Sequence, residues 1–282
     1  MKLATLLPYG IGVVEGDEVV PVESRTMEEV LEHWGGLKDQ LAALPRTHKR
    51  VPLDSVRLGP PVPKPSKIWA AASNYRRGSD NLGQGAGRGT TASRDPQALL
   101  DMIFLKPPSA VVGPKAKIAI PPDAQTIFPE LELCVVIGRK CRDVAPEDVW
   151  DAILGYTIIL DVTARGYGAQ GPLEATRNVR KGFDSFAPIG PWIVTRDEIA
   201  DPEKLQMRLW VNGELRQSAS TEAMINGVAT LVSYLSRVST FLPGDLIATG
   251  NPDAPDFQQQ LKPGDELRAE IEGIGAMTLT VA

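Results

Sequence analysis

The chain has 282 residues, 43% of them hydrophobic and 23% charged, and its formal net charge is −5. This composition is that of a globular protein with enough residues for one large domain or two, and the acidic balance argues against nucleic acid as a partner. No apolar run approaches the roughly 18 residues that a membrane span needs, so no membrane partner is predicted. Cys134 lies in an apolar segment and Cys141 in a polar one. We expect both to be free thiols in a reducing cytoplasm.

Residues 1–62 are predicted to form a small N-terminal α+β domain. Two β-rich runs within residues 10–22 flank a Gly-Asp turn, which indicates a hairpin. Thr26 is the predicted N-cap of a helix that extends to about Leu44, with Glu28 and Glu29 in its first turn. The proline-rich segment 59–65 cannot pair regularly in a sheet, so we interpret it as the linker to a second domain, residues 63–282.

A strand is predicted at residues 67–72, followed by Asn74 and Tyr75 and then by a glycine-rich segment. Residues 78–93 contain five glycines, in a spacing that matches neither GxGxxG nor GxxxxGK[ST]. A phosphate-binding loop is therefore rejected. We interpret the segment as a mobile loop, either a lid that closes over bound ligand or a disordered excursion.

Three carboxylates carry the strongest chemical signal in the chain. Glu130 and Glu132 begin an apolar strand, and alternation places both on one face about 7 Å apart. Asp161 ends a second apolar strand, residues 155–160. Such an all-oxygen set suits Mg²⁺, Mn²⁺ or Ca²⁺. The alternative is that the two glutamates form the solvated face of an antiparallel strand.

Two cations accompany these carboxylates along the sequence. A helical turn after Asp161 would place Arg165 beside it. Lys181 could donate to developing negative charge or move a proton, or it could be a structural partner of the carboxylates. Further along, Asn212-Gly213 predicts a hairpin turn, and residues 224–239 show the apolar spacing of an amphipathic helix.

From about residue 67 to residue 281 the chain resembles the catalytic C-terminal domain of the fumarylacetoacetate hydrolase superfamily. The motifs that carry the resemblance, in order, are Phe104-Leu105-Lys106-Pro107, Gly113-Pro114, Pro129-Glu130-Leu131-Glu132-Leu133 with Val136-Ile137-Gly138, Gly155-Tyr156, Asp161-Val162-Thr163-Ala164-Arg165, Lys181-Gly182-Phe183-Asp184, Val211-Asn212-Gly213-Glu214 and Pro243-Gly244-Asp245. The resemblance implies an α+β, mostly β fold in which a mixed β-roll catalytic domain follows the small N-terminal domain. It also implies a homodimer.

The resemblance assigns roles to individual residues. Glu130, Glu132 and Asp161 would bind Mg²⁺ or Mn²⁺, with Ca²⁺ as a further possibility. Lys181 would face the substrate, and Arg165 matches the family arginine that follows the aspartate. Asn74, Tyr75, Thr249 and Asn251 fall in motifs that line the substrate site.

Two departures from the family pattern bear on the chemistry. Many family hydrolases carry a histidine and a glutamate that activate water where this chain has Gly78 and Asn81. Asp80 is then the carboxylate nearest in sequence for that role. The family Thr-Gly-Thr-Pro motif is here Thr249-Gly250-Asn251-Pro252, which places an amide where a ligand-binding hydroxyl is usual.

We therefore expect an enzyme that acts on a small-molecule oxo acid. The leading hypothesis is a divalent-metal-dependent hydrolase that cleaves a C–C bond in a 2,4-diketo, acylpyruvate-like acid. The second is an isomerase, tautomerase or decarboxylase of a 2-oxo or hydroxymuconate-type acid, which needs no activated water. A third, of a different class, is a non-catalytic ligand-binding protein that keeps the fold.

Overall fold

The computed structural model of the chain describes residues 1–8, 10–22, 24–76, 95–122, 124, 126–165, 176–252 and 260–282. The strands are β1 (Lys2–Leu7), β2 (Ile11–Glu15), β3 (Glu18–Val22), β4 (Val51–Pro52), β5 (Arg57–Gly59), β6 (Ile68–Ala70), β7 (Phe104–Lys106), β8 (Val111–Val112), β9 (Lys117–Ile118), β10 (Thr126–Phe128), β11 (Leu131–Ile137), β12 (Ile153–Leu160), β13 (Thr163–Arg165), β14 (Ala187–Thr195), β15 (Gln206–Val211), β16 (Glu214–Ser220), β17 (Leu246–Ala248), β18 (Glu266–Ile271) and β19 (Gly275–Val281). The α-helices are α1 (Met27–Glu32), α2 (Trp34–Thr47), α3 (Pro96–Leu100), α4 (Arg177–Arg180) and α5 (Val228–Val238). Short 3₁₀ turns occupy Leu53–Ser55, Pro108–Ala110, Pro146–Ala152, Arg196–Glu198 and Thr221–Ala223. Strands thus dominate, and the predicted mostly-β, α+β class is confirmed.

A mixed sheet of twelve strands organises the described part of the chain. Its main path runs β4-β3-β2-β1-β14-β12-β11-β17-β6-β7, with β5 added to β1 and β8 to β14. The central strands β11 and β12 are buried along their whole length. Their continuous runs of Leu, Ile and Val fit a strand that is covered on both faces.

The two faces of this sheet are covered by different parts of the chain. Leu133 and Val135 of β11 belong to a core shared with α5 and with a second sheet, which runs β16-β15-β18-β19-β9. We call this side the Leu133 face. Cys134 and Val136 belong to a core shared with α1 and α2. Because side chains alternate along a strand, Glu132 lies on this second side, the Glu132 face.

The first 62 residues contribute strands to the same large sheet. Lys2 and Leu3 of β1 pair antiparallel with Val194 and Ile193 of β14, and β1 pairs on its other edge with β2. The hydrogen-bonded sheet is therefore continuous from β4 to β7. The division into domains 1–62 and 63–282 stays a prediction.

Several local predictions are confirmed. The hairpin between Gly10 and Val22 is the pair β2 and β3. Thr26 caps α1 in a capping box, since its hydroxyl accepts from the Glu29 amide and the Glu29 carboxylate accepts from the Thr26 amide. Asn212 and Gly213 have φ of 51° and 79°, the left-handed conformation of a tight hairpin turn between β15 and β16.

Two local predictions are wrong. Residues 161–165 do not form a helical turn, because β13 pairs antiparallel with β10 and this ladder satisfies the backbone that a helix would otherwise use. The C-terminal helix begins at Val228 rather than near Met224, after the 3₁₀ turn Thr221–Ala223. Among the helices described, none has the length and apolar character that crossing a membrane requires.

Candidate metal centre

The register of β11 against β12 brings the three carboxylates together. Leu131 pairs with Leu160, so the start of β11 lies beside the end of β12. The Asp161 amide donates to the Glu130 carbonyl at 2.8 Å. One carboxylate oxygen from each of Glu130, Glu132 and Asp161 lies within 4.8 Å of the other two.

Glu132 and Asp161 are buried, whereas Glu130 is partly exposed to solvent. Glu132 is 1% exposed and Asp161 0%, whereas the Glu130 side chain is 25% exposed. Glu132 therefore does not form a solvated strand face, as the alternative interpretation required. Burial, and then the charge of Asp161, raises the pKa of Glu132 well above its usual range. The Gly250 amide donates to Glu132 Oε2 at 2.7 Å and fixes one of its oxygens.

Lys181 lies between two of the carboxylates. It follows α4 directly, and its Nζ hydrogen-bonds both Glu130 Oε2 and Asp161 Oδ2. Burial alone would lower the pKa of Lys181, but Asp161 and Glu130 raise it above its usual value. The amine is therefore a cation held where an incoming metal ion would find its ligands.

Lys106 is a second buried lysine at this site, and sequence analysis assigned it no role. Its Nζ donates to Asp161 Oδ1 at 2.6 Å and to the carbonyls of Lys181 at 2.5 Å and Val162 at 3.4 Å. It lies on β7 two residues after Phe104, so both side chains point to the Glu132 face. A lysine directly after the apolar run Ile103-Phe104-Leu105 was the available signal, because a buried ammonium requires partners.

Burial acts in the same direction on both lysines, but the net pKa shift is upward for Lys181 and downward for Lys106. Burial lowers the pKa of Lys106, with Asp161 acting in the other direction. Burial alone would raise the pKa of Asp161, yet Lys106 and Lys181 together hold it below its usual range. Asp161 is thus the anion at the centre of the cluster, with one oxygen bound to each lysine.

Asn74 and Thr249 form hydrogen bonds next to the segment that contacts Glu132. The Asn74 amide donates to the carbonyls of Asn226 and Thr249 at 2.8 and 2.9 Å, and its oxygen accepts from the Asn226 amide. The Thr249 hydroxyl donates to the Leu133 carbonyl at 3.0 Å. Gly250 has φ of +97°, and a Cβ there would lie 2.9 Å from the Asn74 Cβ. These contacts position the Gly250 amide that binds Glu132, and the substrate-binding role of Asn74 and Thr249 stays a prediction.

The other expected site residues differ in their surroundings. Tyr75 is 2% exposed, its hydroxyl lies 3.7 Å from Met207 Sδ, and burial raises its pKa. The buried Oδ1 of Asn251 has no hydrogen-bond partner in the described part of the chain, which is consistent with a ligand contact. Arg165 is exposed at the end of β13, with its guanidinium 5.8 Å from the Phe128 ring centroid. Asp80 and the predicted lid, residues 78–93, lie outside the described residues.

The residues present fit a hard divalent cation. With Glu132 ionised, the three carboxylates carry one more charge than the two ammonium groups balance, and a cation would neutralise it. Oxygen donors from carboxylates are the ligands that Mg²⁺ and Mn²⁺ prefer. Glu130, Glu132 and Asp161 can supply them once Lys181 moves from between Glu130 and Asp161.

Comparison with known proteins decides the family. The family model described as the C-terminal region of fumarylacetoacetate hydrolase matches residues 67–282. The chain belongs to this family. The match includes all three carboxylates and both lysines, so the family resemblance predicted from the sequence is confirmed.

Relatives of this family match along nearly the whole chain. A maleylpyruvate hydrolase of Aquipseudomonas alcaligenes is 36% identical over 100% of this chain and 99% of its own. A mitochondrial oxaloacetate tautomerase of Bos taurus is 33% identical over 95% of this chain and 83% of its own. The crystal structure of maleylpyruvate hydrolase from Sphingobium sp. SYK-6, in complex with manganese(II) and pyruvate, is 34% identical with a TM-score of 0.82 and covers 100% of this chain and 99% of that one. These relatives confirm the prediction of a fumarylacetoacetate hydrolase family enzyme.

Proposed function

We propose that this protein is a divalent-metal-dependent hydrolase that cleaves a C–C bond of an acylpyruvate-like 2,4-diketo acid. The observation that carries the proposal is the buried cluster of Glu130, Glu132 and Asp161 with Lys181 between two of its members. A chain similar from end to end to maleylpyruvate hydrolases, one of them solved with manganese(II) and pyruvate, supports it.

The three carboxylates would hold Mn²⁺ or Mg²⁺, with Ca²⁺ as the third candidate. When bound, such an ion acts as a Lewis acid towards the neighbouring oxygens of a 2-oxo acid. In hydrolysis the oxygen of water adds to the acyl carbonyl carbon, and the C–C bond towards the pyruvate part breaks. The electron pair of that bond passes to the pyruvate enolate, whose methylene carbon must then gain a proton.

We assign this proton transfer to Lys181. The Lys181 side chain is 8% exposed, and Asp161 and Glu130 hold its amine as a cation. A charged donor in a buried site stabilises negative charge that develops on the enolate oxygen. The same ammonium can return a proton to carbon. Arg165 and Asp80 remain the other proposed catalytic residues, and Asn74, Tyr75, Thr249 and Asn251 the proposed substrate-binding residues.

Tautomerisation of a 2-oxo acid is the second candidate function. Similarity to an oxaloacetate tautomerase favours it, and so do Gly78 and Asn81 at the positions where family hydrolases carry the water-activating pair. Moving a proton between carbon and oxygen requires Lys181 but no nucleophilic water.

Deuterium exchange and cleavage, measured by NMR in one tube, separate these functions. Manganese-loaded protein would be mixed with an acylpyruvate in D₂O, and pyruvate release followed beside deuterium uptake at the carbon between the carbonyl groups. We expect uptake to be faster than release, and Lys181→Ala to lower both rates by about 100-fold or more. Exchange without release would favour the tautomerase, and absence of both would contradict the proposed site.

We further propose that the enzyme is a cytoplasmic homodimer that uses Mg²⁺ in the cell. The two free cysteines, one of them buried, are consistent with a reducing compartment. Light scattering gives the mass in solution, and activity with Mg²⁺ against Mn²⁺ at cellular concentrations tests the choice of metal.

A further inference from the structure

Two cationic side chains lie close to the ring of Phe104. Lys181 Nζ is 5.2 Å from the ring centroid and the Arg177 guanidinium carbon is 5.7 Å from it. The two cations therefore cannot be farther apart than these two distances together. Arg177 begins α4, and the Lys181 amide donates to its carbonyl at 3.1 Å. The same short turn thus carries both groups.

Arg177 has more donors than the described structure uses. Among the described residues it forms one hydrogen bond, from Nη1 to the Met102 carbonyl at 3.2 Å. No described carboxylate lies within ion-pair distance of it, although its side chain is half-buried. Burial and then the neighbouring charge of Arg180 lower the pKa of Arg177, which Glu130 and Asp161 oppose from the metal centre. A half-buried guanidinium whose nearest described partners are a carbonyl and a ring has the capacity for an anion.

We propose that Arg177 binds the far carboxylate of the substrate, so that the enzyme prefers oxo acids with a second carboxylate at the end remote from the 2-oxo group. The inference rests on the proposed function, because the 2-oxo acid end of the substrate must lie at the metal centre. An arginine fork matches a carboxylate through two parallel hydrogen bonds. The guanidinium carbon lies 5.7 Å from the Phe104 ring centroid and Nη1 donates to the Met102 carbonyl, which leaves the remaining donors for a ligand.

A purely structural role for Arg177, joining α4 to the segment before β7, predicts different behaviour. Loss of that role would lower stability and would affect every ligand of the site alike. Loss of a carboxylate partner would affect only ligands that carry the second carboxylate. Ligand pairs that differ in this one group therefore distinguish the two roles.

The test is calorimetric binding of 2-oxoglutarate and 2-oxopentanoate to the manganese-loaded protein. These acids have equal chain lengths and differ in one terminal group, a carboxylate against a methyl. We expect the wild type to bind 2-oxoglutarate about 10- to 100-fold more tightly, the range for a hydrogen bond to a charged group. Arg177→Gln should reduce this ratio to about one and leave the affinity for 2-oxopentanoate within about threefold. Arg177→Lys, which keeps the charge and loses the fork, should give an intermediate ratio.

Arg237→Gln is the matched control, since Arg237 also stacks on an aromatic ring, 5.6 Å from the Tyr234 centroid, on the helix that packs against the Leu133 face. That variant should keep the wild-type ratio. An unchanged ratio in both Arg177 variants, or equal weakening of both ligands, would overturn the assignment. So would loss of the preference in Arg165→Gln alone. Failure of the proposed function looks different, because neither ligand would then bind the wild type in a manganese-dependent way.

Discussion

At the scale of single residues, each of the two buried lysines pairs with a different oxygen of the Asp161 carboxylate. Lys106 binds Oδ1 and Lys181 binds Oδ2. Lys181 also bonds Glu130, so it occupies two of the three carboxylates that would hold an ion, whereas Lys106 bonds only Asp161. We infer that Lys106 keeps Asp161 oriented while Lys181 is displaced towards substrate.

Lys106→Met should therefore destabilise the metal-free protein strongly. Removing one partner of a buried ion pair costs about 3–5 kcal/mol, and we expect the lower figure because Lys181 still pairs with Asp161. Manganese should restore part of this loss, since the ion supplies a second positive charge to Asp161. Urea unfolding with and without Mn²⁺ measures both effects.

Lys67→Met is the matched control for that experiment. Lys67 Nζ pairs with the buried Asp245 at 2.5 Å, and neither residue belongs to the acidic cluster. Its substitution should also destabilise, but by the same amount with and without Mn²⁺. A Lys106 variant within about 0.5 kcal/mol of wild type would show that the buried pair contributes little.

Glu132→Gln should stabilise the metal-free protein near neutral pH. The pKa of Glu132 is raised above its usual value of 4.5, so the folded state holds this proton more tightly than the unfolded state. Its contribution to stability is present at low pH and is lost as pH rises from about 4.5 through the raised value. Each pKa unit corresponds to about 1.4 kcal/mol, and glutamine keeps an oxygen for the Gly250 amide.

Thermal unfolding from pH 4.5 upwards, with chelator or with Mn²⁺, tests this sign. Without metal, the wild type should lose stability with rising pH faster than the variant. With Mn²⁺ the order should reverse, because only the wild type offers three carboxylates to the ion. Wild-type manganese affinity in the variant would show that Glu132 is not a ligand.

At the scale of elements, the close approach of β12 and β14 fixes where Asp161 lies. Gly155 of β12 is so near β14 that a Cβ would stand 2.1 Å from the Val194 carbonyl oxygen. This strand ends at Leu160, one residue before Asp161. Displacing β12 should therefore move a carboxylate of the cluster as well as weaken the sheet.

Gly155→Ala should lower stability by about 2 kcal/mol or more and reduce manganese affinity with it, since backbone atoms must separate. Gly36→Ala is the contrasting variant. Gly36 lies inside α2 and a Cβ there would meet nothing within 4 Å. The gain expected from helix propensity is up to about 1 kcal/mol. Denaturant unfolding of both variants measures these changes in stability. A Gly155→Ala variant as stable as the wild type would refute the close packing of β12 on β14.

At the scale of the whole molecule, the first 62 residues complete the sheet that carries the site. β1 covers the edge of β14, while Val30 and Leu41 of α1 and α2 pack on the Glu132 face beside Cys134 and Val136. Without them, an unpaired strand edge and an apolar surface would face solvent.

A fragment of residues 63–282 should therefore fail to unfold cooperatively and should aggregate, although it contains all three carboxylates. Its thermal unfolding is compared with that of the full chain carrying Leu3→Asp. The comparison measures how much of the stability depends on the interface between residues 1–62 and the rest of the chain. Leu3 is fully buried between the two parts, so its substitution should destabilise by several kcal/mol. A fragment that melts cooperatively near the wild-type temperature would support an independent domain at residue 63.

Much of the site was readable from the sequence because it depends on short-range regularities. Alternation along one strand placed Glu130 and Glu132 on one side. Runs of Leu, Ile and Val predicted that two strands are buried. Motif order predicted the family and hence the roles of Asp161 and Lys181. The capping box at Thr26 and the Asn-Gly turn were equally local.

Only the tertiary structure decided what depends on contacts between distant segments. Lys106 lies 55 residues from Asp161 in sequence, and the bond between them exists because β7 and β12 belong to one sheet. Arg165 lies in a strand rather than in the expected helical turn, because β13 pairs with β10. Arg177 and Lys181 both lie close to the ring of Phe104, which comes from another element. Sequence patterns fix which residues are buried or charged, whereas register and strand order fix which of those charges meet.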